Sequence, residues 1–574
     1  MLTVDEYFEK FKVNSTYTES FRKQVEQHVE DLSGKEFLLL PYFSGYSSYL
    51  NEGNRIELEN IYFQRRRDAV ALALFLQWNP NSDKIKLFEE MLFSICQEYS
   101  WALPAHIQID HKQKSYLNAN ETVDLFASET AHFLAECTVL FRKIINPTLL
   151  EIIKTEIEKR VLNPFIQKDW GFEKLRNNWS AVCTGAIGIT AMILIKDEEV
   201  KKKVLTRVEN ALSCFLEGYG EDGACVEGMG YWVYGIGYYT YFADMYEKVA
   251  GIDLFKNLKW KNIILFPLIA RMPSGNFLPF SDSPETVIVP SGLNSYFFNK
   301  FNIVPAYEES ITDFHFDHCY RWGHLSRTLW WSTEKVRNAY QNLYGEFVFN
   351  DANWVILKRK KLYFAAKGGN NDESHNHNDL CHFILGDHNG LIFDALGAPV
   401  YTADYFGAKR YEYVHPRSYW HSVPYIDKQE QLPGSNYFAF ISNVYKDDHE
   451  FSVTIDLQHA YPNLKDNPLK RSYMINDLKR RLLIKDTVGK PVHYETHFIS
   501  RIKPDLLEDK VIWKEGEWTL QFNKNLLHAH VECIEIKNHF NQSEMVYNII
   551  FTTKKEENKV YTFLVNWAGG EFDE

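Results

Sequence analysis

The chain has 574 residues, more than one hydrophobic core normally serves, so two or more domains are expected. Its hydrophobic content of 45% and charged content of 24% are those of a globular protein rather than a disordered one. The formal net charge is −13, with no basic tail or stripe, which points away from nucleic acid. An acidic substrate stays open, because local charge in a cleft can oppose the net charge.

The first twenty residues lack the apolar stretch of a signal peptide, and no long apolar run suggests a membrane span. The eight cysteines are scattered without C-x-x-C spacing and sit among apolar residues. Together these give the expectation of a reduced, cytoplasmic protein with no membrane contact. A chain whose leader had been removed would read the same.

To about residue 330 the apolar residues recur at three- and four-residue spacings. The spacing predicts helices near 57–78, 84–100, 121–145, 148–163, 178–196, 198–217, 231–249 and 259–271. Pro104, Pro147 and Pro164 are expected between helices, where Pro costs little. Short connections and the absence of a fixed-length repeat suggest a layer of paired antiparallel helices.

Two helical stretches carry candidate chemistry. In R-N-N-W-S-A-V-C-T-G-A-I-G-I-T-A, residues 176–191, Trp179, Val182, Cys183, Ala186 and Ile187 form an apolar stripe. Gly185 and Gly188 permit close packing. Asn177 and Asn178 lie at the front edge, where one of them can serve as a helix cap. In E-D-G-A-C-V-E-G-M-G-Y-W-V-Y-G-I-G-Y-Y-T-Y, residues 221–241, Tyr231, Tyr234, Tyr238 and Tyr241 share one helical face. Four hydroxyls on one face are hard to bury, since each needs a partner, so a cleft-lining face is expected.

From 272 to 345 the pattern loosens into a turn-rich loop and a mixed connector. Beyond 346 the texture turns to short strands bounded by turn signals, with a hairpin turn expected at Asn389-Gly390. Further strands are expected near 450–457, 470–475, 481–486, 492–500, 510–522, 527–536, 546–553 and 560–567, which suggests stacked antiparallel sheets. The domains are therefore drawn as 1–340, helical, and 341–574, a β-sandwich.

The densest chemistry is S-H-N-H-N-D-L-C-H-F, residues 374–383. His375 and His377 are two apart, and in an extended chain their rings would share a face. Downstream come Asp394, a loop with Tyr401, Tyr405, Arg410, Tyr411, Tyr413, and then His415, Arg417 and His421. A His, an Asp and a later His from separate strands make a three-ligand set suited to zinc.

The ordered motifs R-N-N-W-x-x-V-C-x-G, D-G-x-x-x-E-G-x-x-Y-W-x-Y-G, P-x-G-x-x-x-P-x-x-D-S, S-H-N-H-N-D, F-D-x-x-G and W-H-S-V resemble those of the heparinase II/III-like polysaccharide lyases, a group that also contains alginate and oligo-alginate lyases. The resemblance runs from about residue 100 to 425. It implies an N-terminal incomplete (α/α) toroid followed by a C-terminal antiparallel β-sandwich. It implies His377, Asp394 and His421 as ligands of one divalent metal, expected to be zinc in an orienting role. His375 then faces the substrate, Tyr231 is the catalytic tyrosine with Tyr234 as its rival, and Asn178 or Asn177 holds a uronate carboxylate. Trp179, Glu227, Tyr405, Arg410 and Arg417 are the candidate substrate-binding residues.

The activity so implied is β-elimination on a uronate-containing acidic oligosaccharide or polysaccharide of glycosaminoglycan or alginate type. Two readings from other classes stand beside it. One is a zinc hydrolase with Asp379 as its base, and the other is a non-catalytic glycan-binding protein. Whether copies of the chain associate as a homo-oligomer is left open.

Overall fold

In a computed structural model, residues 1–13, 15–32, 42–284, 286–307, 309–464 and 467–568 are described. Every segment with helical spacing folds as a helix: Ile56–Phe75, Ser82–Cys96, Leu125–Leu140, Pro147–Ile157, Asn178–Leu194, Glu198–Glu217, Met229–Ala250 and Trp260–Ala270. Side chains of Asn81, Asp124, Asn177 and Asp197 accept first-turn N–H groups and set four of the starts. Pro147 opens its helix as expected. Pro164 does not lie between helices. A π-helical stretch, Glu158–Leu162, carries the run on into Asn163–Gln167, and the wider turn accommodates the ring.

The stretch read as a mixed connector contains the helix Trp322–Trp331, preceded by Ser291–Phe301. Its buried surface includes His324, Ser326, Arg327 and Thr328, which interrupt the apolar period. Arg327 is accommodated there because Glu136 accepts from both of its terminal nitrogens at 2.9 and 2.7 Å.

The chain folds as two compact units. The first takes Met1–Tyr219, Tyr231–Ile264 and Ile288–Gln341. It is an incomplete (α/α) toroid built from packed helices. Helix Asn178–Leu194 lies against Leu125–Leu140, Glu198–Glu217 and Met229–Ala250. The glycines expected to allow close packing do so: a Cβ on Gly185 would stand 2.7 Å from the Tyr238 carbonyl oxygen, and one on Gly188 2.6 Å from the Phe242 ring.

The second unit takes Gly220–Gly230, Leu265–Val287 and Asn342–Glu574, and is an antiparallel β-sandwich. Five strands form a meander in chain order: Gly345–Phe349, Trp354–Lys358, Leu362–Lys367, Phe383–Asp387 and Gly390–Phe393. Its last hairpin pairs Asp387 with Gly390, so the turn centres on His388-Asn389, one residue earlier than expected. A nine-stranded sheet runs from Asp505–Leu506 at one edge to Gly369–Asn371 at the other, and a four-stranded sheet is centred on Ser543–Thr553 and Tyr494–Ser500. Phe383 ties the three together, 5.2 Å from Tyr473 and 5.8 Å from Phe498 between ring centroids.

Two segments preceding the main strand region are stitched into this unit. Asp222 accepts the Asp351 N–H at 2.8 Å, while Asp351 accepts the Glu221 N–H at 2.7 Å. Ser281 donates to the Val226 carbonyl at 2.9 Å, and the buried Lys358 ammonium donates to the Leu268 carbonyl at 2.6 Å. These bonds fix the stretch that presents Asp282. All eight cysteines are free thiols, and among the described residues no helix is long and apolar enough to cross a membrane.

Candidate active site

In the sheet unit, the His-rich stretch is not a strand. It is a loop between Gly369–Asn371 and Phe383–Asp387, and His375 takes the left-handed conformation at φ 59°. The two rings nevertheless reach one place, because both meet the carboxylate of Asp282. His375 Nδ1 lies 3.0 Å from Asp282 Oδ2, and His377 Nε2 lies 2.9 Å from Oδ1. The Tyr405 hydroxyl donates to Oδ1 at 2.5 Å, and Arg410 approaches Oδ2 at 3.4 Å. Burial alone would raise the Asp282 carboxyl, but the bonds from His375 and His377 outweigh it and hold it well below the carboxylate range. The Asp282 side chain is wholly buried and that of His375 is 18% exposed.

Next to this pair, His377, Asp379 and His421 bring one ligand atom each to within 4.8 Å of one another, and all three are buried. Asp379 Oδ1 takes the Lys367 ammonium at 2.6 Å, while its Oδ2 has no hydrogen-bond partner among the described residues. His421 Nε2 is 2.7 Å from the His415 carbonyl oxygen, and its buried Nδ1 likewise has no partner. His415 Nε2 is a third such atom. Burial lowers His421 to about 4 and His415 to about 3, so both rings are neutral. Burial would raise Asp379, but Lys367 and the surrounding imidazoles override it and hold the carboxyl at about 2. Neutral imidazoles and an ionised carboxylate with buried, unsatisfied lone pairs are the donor set a zinc-like divalent cation takes. The residues present fit the metal that the resemblance implies.

Asp394, expected as the third ligand, is engaged elsewhere. It follows the strand Gly390–Phe393, and there its Oδ2 pairs with Arg501 at 2.5 Å while Oδ1 accepts the Ala395 N–H. The carboxylate grouped with His377 and His421 is that of Asp379. Tyr405 is also corrected. Expected at the substrate, it is fully buried, with its hydroxyl on Asp282 and its ring under the Arg410 guanidinium at 4.3 Å. Arg410 also donates to the Asn376 carbonyl at 2.8 Å. Arg417 is paired with Glu430, and Glu227 is buried.

In the helical unit, Asn177 is the cap of helix Asn178–Leu194, accepting the Trp179 N–H at 3.2 Å. Asn178 is buried, with its Oδ1 lacking a partner among the described residues. The half-buried Trp179 packs edge-on against His106 at 4.8 Å, and His106 is bonded to Asp124 at 2.7 Å. Tyr231 is half-buried in the first turn of Met229–Ala250. The other three tyrosines of its face, expected to line a cleft, are buried. Tyr241 is bonded to His324 at 2.7 Å, and Tyr234 donates to Glu129 while Arg321 stacks on its ring at 4.0 Å. Burial and then the Glu129 charge push Tyr234 well above the ordinary tyrosine range. Burial pushes Glu129 up to about 7 despite Arg321.

Sequence reasoning missed Glu129 and Arg321 and assigned Asp282 no role, although Asp282 stands in the P-x-G-x-x-x-P-x-x-D-S motif. No spacing rule joins Asp282 to a histidine 93 residues on. A second cluster, Asp317, His318 and Cys319, consists of neighbours in one turn, with the Asp317 carboxylate already paired with Arg321 at 2.7 Å.

No protein-family model and no curated protein matches the sequence. Solved structures do. The crystal structure of heparinase III is 11% identical, with 98% of this chain and 93% of that one covered at a TM-score of 0.65. The heparan sulfate lyase HepC from Pedobacter heparinus is 14% identical, with 98% and 85% covered at 0.59. The fold is that of the heparinase-type lyases. A heparinase III product designated BT4657 is a further match, 12% identical over 98% of this chain and 92% of its own, at 0.58. At these identities the heparinase likeness is one of fold, and the chemistry rests on the residues above.

Proposed function

We propose that the chain is a lyase that cleaves a uronate-containing acidic glycan by β-elimination, leaving a 4,5-unsaturated end. The observation that carries the reading is the His375–Asp282 pair. It is a partly exposed imidazole oriented by a wholly buried carboxylate, on a fold shared end to end with heparinases.

The reaction sets three requirements. Removing the C5 proton builds negative charge on the adjacent carboxylate, so a preorganised donor must face that group; the Asn178 amide suits this. A base must take the proton as its C–H electron pair becomes the C4=C5 double bond. An acid must then protonate the C4 oxygen as the C4–O bond breaks. The resemblance gives these last two roles to Tyr231 and His375. Tyr231, half-buried at the start of its helix, is the tyrosine assigned to proton transfer.

A divalent cation would be held by His377, Asp379 and His421, and when bound it would supply a fixed positive charge that anchors the loop bearing His375. That set is closed, with side chains no more than 1% exposed. Burial of this depth keeps the ion away from substrate, which supports an orienting role over the hydrolase reading. Incubation with heparan sulfate, chondroitin sulfate, hyaluronan and alginate oligomers tests the proposal. Ultraviolet absorbance from new double bonds should rise with at least one, and a flat trace with all four overturns it.

A further inference from the structure

We propose that Asp282 is a positioning residue that sets the tautomers of two imidazoles in opposite senses and so determines which nitrogen of His375 exchanges protons with substrate. The role assigned to His375 rests on the lyase reading, while the tautomers themselves do not. The Asp282 side chain is wholly buried, and its two oxygens face four donor groups: His375 Nδ1 at 3.0 Å, His377 Nε2 at 2.9 Å, the Tyr405 hydroxyl at 2.5 Å and Arg410 Nη2 at 3.4 Å. An ionised carboxylate only accepts. Each ring must therefore direct an N–H at it.

In the neutral ring, that condition puts the proton of His375 on Nδ1 and the lone pair on Nε2, on the far side of a ring that is partly exposed. It puts the proton of His377 on Nε2 and leaves its lone pair on Nδ1, the arrangement in which a metal-binding histidine donates its other N–H to a carboxylate. Backbone bonds reinforce the geometry. The Asp282 N–H donates to the His375 carbonyl at 3.2 Å, which secures the left-handed turn at His375. Arg410 binds both Asp282 and the Asn376 carbonyl, so the carboxylate also tethers the loop that carries Tyr405 and Arg410. One side chain thus links the imidazole assigned to chemistry with the one assigned to the metal.

The test uses the full chain with ¹⁵N-labelled histidine. Long-range proton–nitrogen correlation spectra, assigned by the loss of signals in His375→Ala and His377→Ala, should show Nδ1–H at His375 and Nε2–H at His377. The reverse at either ring overturns the proposal, whether or not any glycan is cleaved. Asp282→Asn places an amide where both rings must donate. With a folded protein and an active glycan in hand, it should lower kcat about a hundredfold with KM changed by less than about threefold. Asp282→Glu should recover part of that loss relative to Asp282→Ala. A folded Asp282→Asn protein with wild-type kcat would contradict the proposal. Wild-type protein inactive on every glycan would instead overturn the lyase reading and leave the spectra to decide the role of Asp282.

Discussion

At the scale of single residues, neighbours in sequence have separate fates. Asn177 caps its helix through its side chain, whereas Asn178 is buried with an amide oxygen that no described residue satisfies. Asn177→Ala should therefore cost about 1 kcal/mol of stability, read from denaturant unfolding. Asn178→Ala should lower kcat by about 10²-fold with a smaller effect on unfolding. Tyr231→Phe should abolish product while leaving the fold intact by circular dichroism. Glu129 gives a pH signature. Its ordinary value is 4.5 and its folded value about 7, so between these limits the folded state holds a proton that the unfolded state has released. Stability from this group is complete below about 4.5. It falls by up to about 1.4 kcal/mol per pH unit across the window and changes no further above it. Unfolding free energies of wild type and Glu129→Gln, measured from pH 4 to 8, should diverge with that slope.

At the scale of elements, what was legible followed local pattern, and what was not depended on distant partners. The helices between residues 56 and 270 announce themselves because apolar residues recur in them at three- and four-residue spacings. Trp322–Trp331 does not, because Arg327 sits on its buried surface and is paired there with Glu136, far away in sequence. The strand Gly434–Lys446 was missed as well, since its mixture of exposed aromatic and polar residues lacks clean alternation. Gly185 was legible as a packing residue, and Gly185→Ala should cost about 1–3 kcal/mol, because the added methyl meets backbone that cannot turn aside. Among the candidate site residues, His375 and His377 stood out by their proximity in sequence. Asp282 did not, being a lone carboxylate in a loop. The metal set divides sequence from structure most sharply. Elemental analysis should find one divalent ion per chain, retained by Asp394→Asn and lost by His421→Ala and by Asp379→Asn, with circular dichroism checking that each variant folds. Loss from Asp394→Asn with retention in Asp379→Asn would restore the ligand set first implied by the resemblance.

At the scale of the whole molecule, the helical toroid and the β-sandwich are separate compact units that hold different candidate groups. The toroid supplies a half-buried phenol and a buried amide, and the sandwich supplies an oriented imidazole and a buried imidazole–carboxylate cluster. A net charge of −13 leaves an acidic glycan open as substrate, because local charge in a cleft can oppose the net charge. The hydrolase and lyase readings separate on a single quantity, the mass of the products. After incubation with the acidic glycan panel, the account predicts a new end lighter than a hydrolysis product by one water and absorbing in the ultraviolet. Saturated products at the hydrolysis mass would contradict it.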